Sequence, residues 1–235
     1  MKIQCVWEHN GNDSLLHASN VPGAYARGES LEAALAKMPD EIAAFLRWKG
    51  EKAPESLEIS VAQEKCSALE IRDADSEVLF ESETGPLTQA QYDVLKALVL
   101  KSAADFLALY ESIPDKCKTA LPKRRTFYGD VPRTSEEMYL HTKNVNSYYW
   151  GEIGVDADNG GTILECRLRG FGVLEAQPDF LANRVFPGSY GEDWSLAKVL
   201  RRFLWHDRIH ARAMHRMSRA LFGGRAVPDV FRFGD

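Results

Sequence analysis

The stretch FLWHDRIHARAMHRMSRALFG, residues 203–223, decides how the C-terminal part of this chain folds. With the residues that precede it from position 196, it places apolar side chains every three or four positions, which is the spacing of one helix face. Ser195 can cap the first turn, and Gly223 can end the helix. The pattern therefore predicts one long helix with a defined beginning and end.

His206 and His210 lie four residues apart on this helix. That spacing puts two side chains about 40° apart around the axis and about 6 Å apart along it, so both imidazoles can reach one point. A catalytic zinc site takes three protein ligands, and His141 is the best third candidate because it lies in another predicted helix, one turn after Glu137. His215 is rotated by about 140° from His210 and is predicted to be a satisfied or surface histidine. The spacing of His206 and His210 is equally consistent with two ordinary, partly exposed histidines that bind no metal.

Three more helices are predicted before this one, over residues 87–113, 133–154 and 163–186, from apolar residues at helical spacing. Thr88 suits the start of the first of them, and Thr134 or Ser135 suits the start of the second. Four helices with antiparallel neighbours are what a helical bundle requires.

The N-terminal residues alternate apolar and polar side chains in short runs, as half-buried strands do. The predicted strands cover residues 2–9, 14–21, 57–64 and 67–83. Ser30 is predicted to cap a helix over residues 31–50, in which Pro39 marks a kink or a new first turn. This order of elements is that of a small α+β unit.

The change from strand spacing to helix spacing falls at Gly85, beside a proline, and marks a domain boundary. We therefore expect an α+β N-terminal unit at residues 1–84. An all-α antiparallel four-helix bundle is expected to follow at residues 85–235.

The phrase NVPGAYARGESLEAALAKMPDEIAAFL, residues 20–46, resembles the HicB-like fold, a small sheet packed on one helix. In the antitoxin family that domain works with a small toxin and often with a DNA-binding tail. The sequence offers no basic helix-turn-helix, so the antitoxin function does not carry over. An interaction module, through which the chain could associate with itself, is the expected role.

Residues 87–223 resemble the DinB-like family of four-helix bundles with a three-histidine metal site. Two stretches carry the match, SEEMYLHTKNVNSYYWGEI at residues 135–153 and the C-terminal helix at residues 203–223. The resemblance implies that His141, His206 and His210 are the metal ligands. The N-terminal unit and the insertion at residues 179–193 depart from the simplest members.

The family includes metal-dependent transferases that join low-molecular-weight thiols to electrophiles. The resemblance thus implies an enzyme of this kind with a divalent transition metal, zinc or nickel first, and a small thiol and an electrophile as partners. The alternative is a non-enzymatic, metal-stabilised or ligand-sensing bundle with the N-terminal unit as an interaction module. An antitoxin-like regulator is a third, weaker hypothesis.

Two other clusters stand near the predicted site. The aromatic run Tyr148-Tyr149-Trp150 would either line the pocket or belong to the core. The basic run at residues 123–125 would be a solvated loop or would hold an anionic substrate. No residue beyond the three histidines is assigned a catalytic or cofactor-binding role.

Composition narrows the class of protein. The chain has 235 residues and a formal net charge of −5, which disfavours a general nucleic-acid binder. Its four cysteines are widely scattered and are expected to be reduced. The sequence shows neither a membrane span nor a signal peptide, so a cytoplasmic protein without a membrane partner is expected.

Overall fold

In the computed structural model, which describes residues 1–126 and 128–234, the N-terminal part forms a mixed sheet and one helix. The elements are β1 (Lys2–His9), β2 (Ser14–Ala18), β3 (Tyr25–Gly28), α1 (Leu31–Lys49) and β4 (Glu58–Cys66). The sheet order is β3-β2-β1-β4, in which β1 and β4 run parallel and the other neighbours antiparallel. The α+β character predicted for this part is confirmed.

Helix α1 begins where the sequence predicts and packs on the sheet. The Ser30 hydroxyl accepts a hydrogen bond from the Ala33 backbone N–H at 3.3 Å, and Gly50 ends the helix in the left-handed conformation. Pro39 lies inside the helix on its exposed side and does not begin a new one.

The strand predicted over residues 67–83 does not form. This stretch instead contains two short 3-10 turns, Ile71–Asp73 and Glu81–Glu83, joined by extended backbone. The alternation that suggested a strand reflects burial of single apolar side chains such as Val78 and Phe80.

Side chains, rather than a neighbouring strand, satisfy the backbone of that stretch. The Glu8 carboxylate accepts hydrogen bonds from the Ser76 hydroxyl at 2.6 Å and from the two backbone N–H groups that follow it. Arg202 donates to the Ser76 carbonyl at 2.7 Å, and Arg201 donates to the Val78 carbonyl at 2.9 Å. Because these backbone N–H and carbonyl groups already have hydrogen-bond partners, they do not need to pair with a neighbouring strand.

Four further α-helices follow: α2 (Gln89–Ser112), α3 (Ser135–Gly151), α4 (Ile163–Glu175) and α5 (Leu196–Phe222). Two hairpins of two-residue strands lie between them, β5 (Arg125–Thr126) with β6 (Gly129–Asp130), and β7 (Phe186–Pro187) with β8 (Asp193–Trp194). Helix α5 packs against both α2 and α3, and α4 also contacts both of those helices. The helical character of the C-terminal part is confirmed.

The helix starts follow the sequence closely. The hydroxyls of Thr88, Thr134 and Ser195 each accept a hydrogen bond from the third backbone N–H of their helix. Helix α4 is shorter than predicted and ends at Glu175, because Pro178 can neither continue a helix nor allow helical backbone before it.

Gly170, inside α4, has a packing role in the fold. A Cβ at Gly170 would lie 2.1 Å from Nε1 of Trp150, so only glycine lets α4 approach the α3 indole this closely. The bare glycine thus brings α3 and α4 together.

The N-terminal part packs directly on α5. Gly23 has a φ of +97°, and a Cβ there would lie 2.7 Å from Cβ of Leu204. The Glu41 carboxylate, on α1, accepts hydrogen bonds from Arg208 at 2.7 Å and from Arg212, both on α5. One apolar core runs through both parts, joining sheet residues such as Leu16 to helix residues of α5.

Among the helices that the described residues form, none combines the length and apolarity needed to cross a lipid bilayer.

The buried Glu41 ion pairs are expected to stabilise the fold. Glu41→Gln should lower the free energy of unfolding by about 3 kcal/mol, because it leaves the fully buried Arg208 without a compensating charge. Asp40→Asn, on the exposed side of the same helix, is the matched control and should change it by less than about 0.5 kcal/mol. Urea unfolding of both variants checks this, and equal stabilities would contradict the role given to Glu41.

Candidate functional site

Helices α3 and α5 bring the three predicted histidines together. His206 and His210 lie one turn apart on α5, with ring centroids 4.5 Å apart. His141, on α3, places its ring centroid 5.1 Å from that of His206 and 4.7 Å from that of His210. One ring nitrogen from each of the three lies within 4.8 Å of the other two, so the cluster could hold a metal ion.

One pair of ring nitrogens has the spacing that two ligands of the same metal ion require. Zinc binds imidazole nitrogen at about 2.0–2.1 Å, so two tetrahedral ligands lie about 3.3 Å apart. Nε2 of His141 and Nε2 of His206 are 3.2 Å apart. Nε2 of His206 faces Nε2 of His141 and is therefore the atom that can bind an ion, whereas its Nδ1 is buried without a hydrogen-bond partner among the described residues. Three imidazoles suit zinc, nickel, copper or iron better than magnesium or calcium.

Burial keeps all three imidazoles neutral. His206 is only 9% exposed, and burial, with the neighbouring His210 and His141, lowers its pKa well below the usual value. Burial, followed by the nearby His141 and Arg27, lowers the pKa of His210 to about 3. Burial also lowers the pKa of His141. At neutral pH each ring therefore offers a lone pair with no competing proton.

The trio lies on the wall of a large cavity of about 930 Å³. One side of the cavity comes from α3 and α5, and includes Tyr148 and Tyr149 beside the histidines. The opposite side comes from the N-terminal part, through β3 and the stretch that was predicted to be a strand, residues 69–77. The cavity thus lies between the two parts of the chain and next to the ligand nitrogens.

The two neighbouring clusters can now be assigned. Tyr148 and Tyr149 line the cavity, whereas Trp150 is fully buried against α4. From the basic run, Arg124 reaches the cavity wall and forms an ion pair with Asp73. One part of each cluster therefore belongs to the site and the rest does not.

Sequence reasoning missed the residues that the N-terminal part contributes to the cavity. Arg27 and Asp75 both line it, and burial raises the pKa of the Asp75 carboxyl to about 6. Arg202, one turn before His206, also lines the cavity and is 8% exposed. No local signal marks Arg27 or Asp75, because they face the histidines only after the two parts have packed together.

The remaining histidines lie outside the trio. His215 is buried on α5, with its ring centroid 6.3 Å from that of Phe233. Nε2 of His17 lies 3.8 Å from the Glu8 carboxylate, and Nε2 of His9 lies 3.0 Å from the Glu64 carboxylate. None of these three belongs to the cluster that could hold an ion.

No family model matches this chain, and neither a curated protein nor a solved structure matches it significantly.

The metal-free protein is expected to lose stability as the pH falls below about 6.5. The unfolded chain protonates its histidines near that pH, whereas the folded trio stays neutral, so acid favours the unfolded state. For His210 alone, the loss between about pH 7.5 and about pH 5 is up to about 2 kcal/mol. Urea unfolding at both pH values should show that wild type loses this much more stability than His210→Ala. Equal losses would mean that His210 protonates as readily in the fold as in the unfolded chain.

Proposed function

We propose that this protein is a DinB-like metal-binding protein, and that it transfers a low-molecular-weight thiol to an electrophile. In this proposal α2, α3, α4 and α5 form the family's antiparallel four-helix bundle. His141, His206 and His210 bind a divalent transition metal, zinc or nickel first. The likeness of residues 135–153 and 203–223 to the family's two histidine-bearing helices supports the assignment.

One observation carries the proposal: three neutral imidazoles, one buried and two half-buried, converge on the wall of a cavity large enough for a small molecule. A closed structural site has four protein ligands, whereas a catalytic site keeps one position for water or substrate. The cluster that the described residues form has three members, and it adjoins the cavity. The arrangement favours a site that takes an external ligand.

The charges around the trio favour an anionic ligand such as a thiolate. The three ligands are neutral, so they leave the charge of a divalent ion uncompensated. Arg202 acts on His206, and Arg27 acts on His210, closely enough for their positive charges to help lower the two pKa values. When bound, the metal would serve as a Lewis acid and lower the pKa of a thiol.

Asp75 is suited to accept the thiol proton. Its carboxyl lines the cavity, forms no ion pair within the described part of the chain, and has a pKa raised by burial to about 6. A base with a pKa near the working pH is the most effective proton acceptor. Tyr148 and Tyr149 provide an aromatic surface beside the histidines.

The proposal predicts about one metal ion per chain. Zinc- or nickel-loaded wild type should retain it after dialysis, whereas His206→Ala and His210→Ala should lose it while keeping a native circular dichroism spectrum. His215→Gln, on the same helix but outside the trio, is the matched control and should retain the metal. Elemental analysis of tag-free protein measures all four.

The same samples separate a functional metal from a structural one. Removing a functional metal should leave the cooperative unfolding transition in place, and the loaded wild type should then be screened with thiols and electrophiles. If removal of the metal unfolds the protein, the ion is structural, and the non-enzymatic alternative is favoured. Wild type that takes up no metal would contradict the three-histidine site itself.

A further inference from the structure

The cavity wall carries more positive than negative charge. In the described part of the chain six arginines and four carboxylates line it: Arg27, Arg124, Arg133, Arg202, Arg212 and Arg216, with Asp73, Asp75, Glu77 and Glu192. Since a cavity with low-dielectric walls concentrates the field of its charges, this excess acts on any ligand inside it.

Most of the carboxylates already have cationic partners. Asp73 pairs with Arg124, Glu192 pairs with Lys198 at 2.8 Å, and Glu77 pairs with Lys65 at 3.4 Å. Asp75, the fourth, is the half-buried carboxyl with the raised pKa. Three of the four carboxylates are therefore paired, Glu77 and Glu192 with lysines that do not line the cavity and Asp73 with Arg124 on the wall itself.

Several arginines, by contrast, form no ion pair with any described residue. Nη1 of Arg27 donates to the Arg72 carbonyl at 3.2 Å, and Nε of Arg133 donates to the Leu121 carbonyl at 3.0 Å. A carbonyl fixes the position of a guanidinium without cancelling its charge. Arg216 is exposed on the same helix as the trio and forms no ion pair with the described residues.

Arg27 is the arginine best placed to act on a ligand at the trio. It is half-buried, it is carried by β3 of the N-terminal sheet, and its charge reaches His210. The bond to the Arg72 carbonyl is the one side-chain hydrogen bond of Arg27 within the described residues, so further N–H groups remain for a ligand. A guanidinium presents them as a planar fork that matches the two oxygens of a carboxylate.

We propose that Arg27 forms a carboxylate subsite beside the histidine trio, in a cavity that Arg133 and Arg216 also line. The small molecule that enters the cavity then carries a carboxylate in addition to the group that meets the metal. The inference rests on the proposed function in that the second group is taken to be a thiol. It also gives the N-terminal part a role in substrate selection.

Two thiols of similar size test the subsite, 3-mercaptopropionate with a carboxylate and 2-mercaptoethanol without one. Calorimetric titration of the zinc-loaded protein should show tighter binding of 3-mercaptopropionate. Arg27→Gln should weaken that binding about tenfold, the value of a charge-assisted hydrogen bond at a partly exposed site, and leave 2-mercaptoethanol unchanged. Arg27→Lys should retain part of the preference. Arg72→Gln removes a neighbouring exposed charge that does not line the cavity, and it should behave as wild type.

Propionate, which has no thiol, separates this inference from the function on which it rests. If neither thiol binds, but propionate binds wild type more tightly than Arg27→Gln, the carboxylate subsite is supported and the proposed thiol chemistry is contradicted. If Arg27→Gln weakens both thiols equally or neither of them, the subsite is wrong while thiol binding stands. If none of the three probes binds wild type, both proposals fail.

Discussion

Helix α5 carries cationic side chains that are buried in the fold. The packing of the other elements on α5 depends on the carboxylates and backbone carbonyls that bind these cations. Lys198, Arg201, Arg202 and Arg208 are all at most 8% exposed. A buried charge is tolerated only where hydrogen bonds and opposite charges surround it. The N-terminal part supplies many of these partners, through the Glu41 and Glu83 carboxylates and the backbone carbonyls of residues 76–78. The position of the sheet relative to α5 follows from this pairing.

The same pairing creates the site. Arg201 and Arg202 bind the backbone carbonyls of Val78 and Ser76, so this segment packs on α5 instead of forming a strand, and Ser76 and Glu77 line the cavity. The turns of α5 that bind the N-terminal part lie next to the turns that carry His206 and His210. The imidazoles therefore face a cavity between the two parts of the chain, rather than a space enclosed by the helices alone. In this arrangement the N-terminal part contributes Arg27, from β3, and Asp75, from the segment after Ile71–Asp73, to the cavity wall.

Features set by neighbouring residues could be predicted from the sequence. The caps at Thr88 and Ser195 are confirmed, because a hydroxyl three residues before a backbone N–H is a local signal. The pair His206 and His210 is predictable for the same reason, since one rigid helix fixes their spacing. The helix pattern makes His141 the best third candidate, the resemblance to a family strengthens that choice, and the structure places it with the other two.

Features set by distant parts of the chain could not be predicted. The strand prediction for residues 67–83 is wrong because Glu8 and the arginines of α5, far away in sequence, satisfy its backbone. No pattern in the sequence assigns Arg27 or Asp75 to a site, and only tertiary packing brings them to the cavity. The domain boundary at Gly85 stays a prediction.

The central claim is that His141, His206 and His210 bind one metal ion and leave a coordination position open to the cavity. An anomalous difference map from crystals of the zinc-loaded protein, recorded at the zinc absorption edge, tests it most directly. We expect one strong peak about 2.0–2.1 Å from a ring nitrogen of each histidine, with a non-protein fourth ligand on the cavity side. A peak with four protein ligands would contradict the open position, and the absence of a peak between the three rings would contradict the metal site.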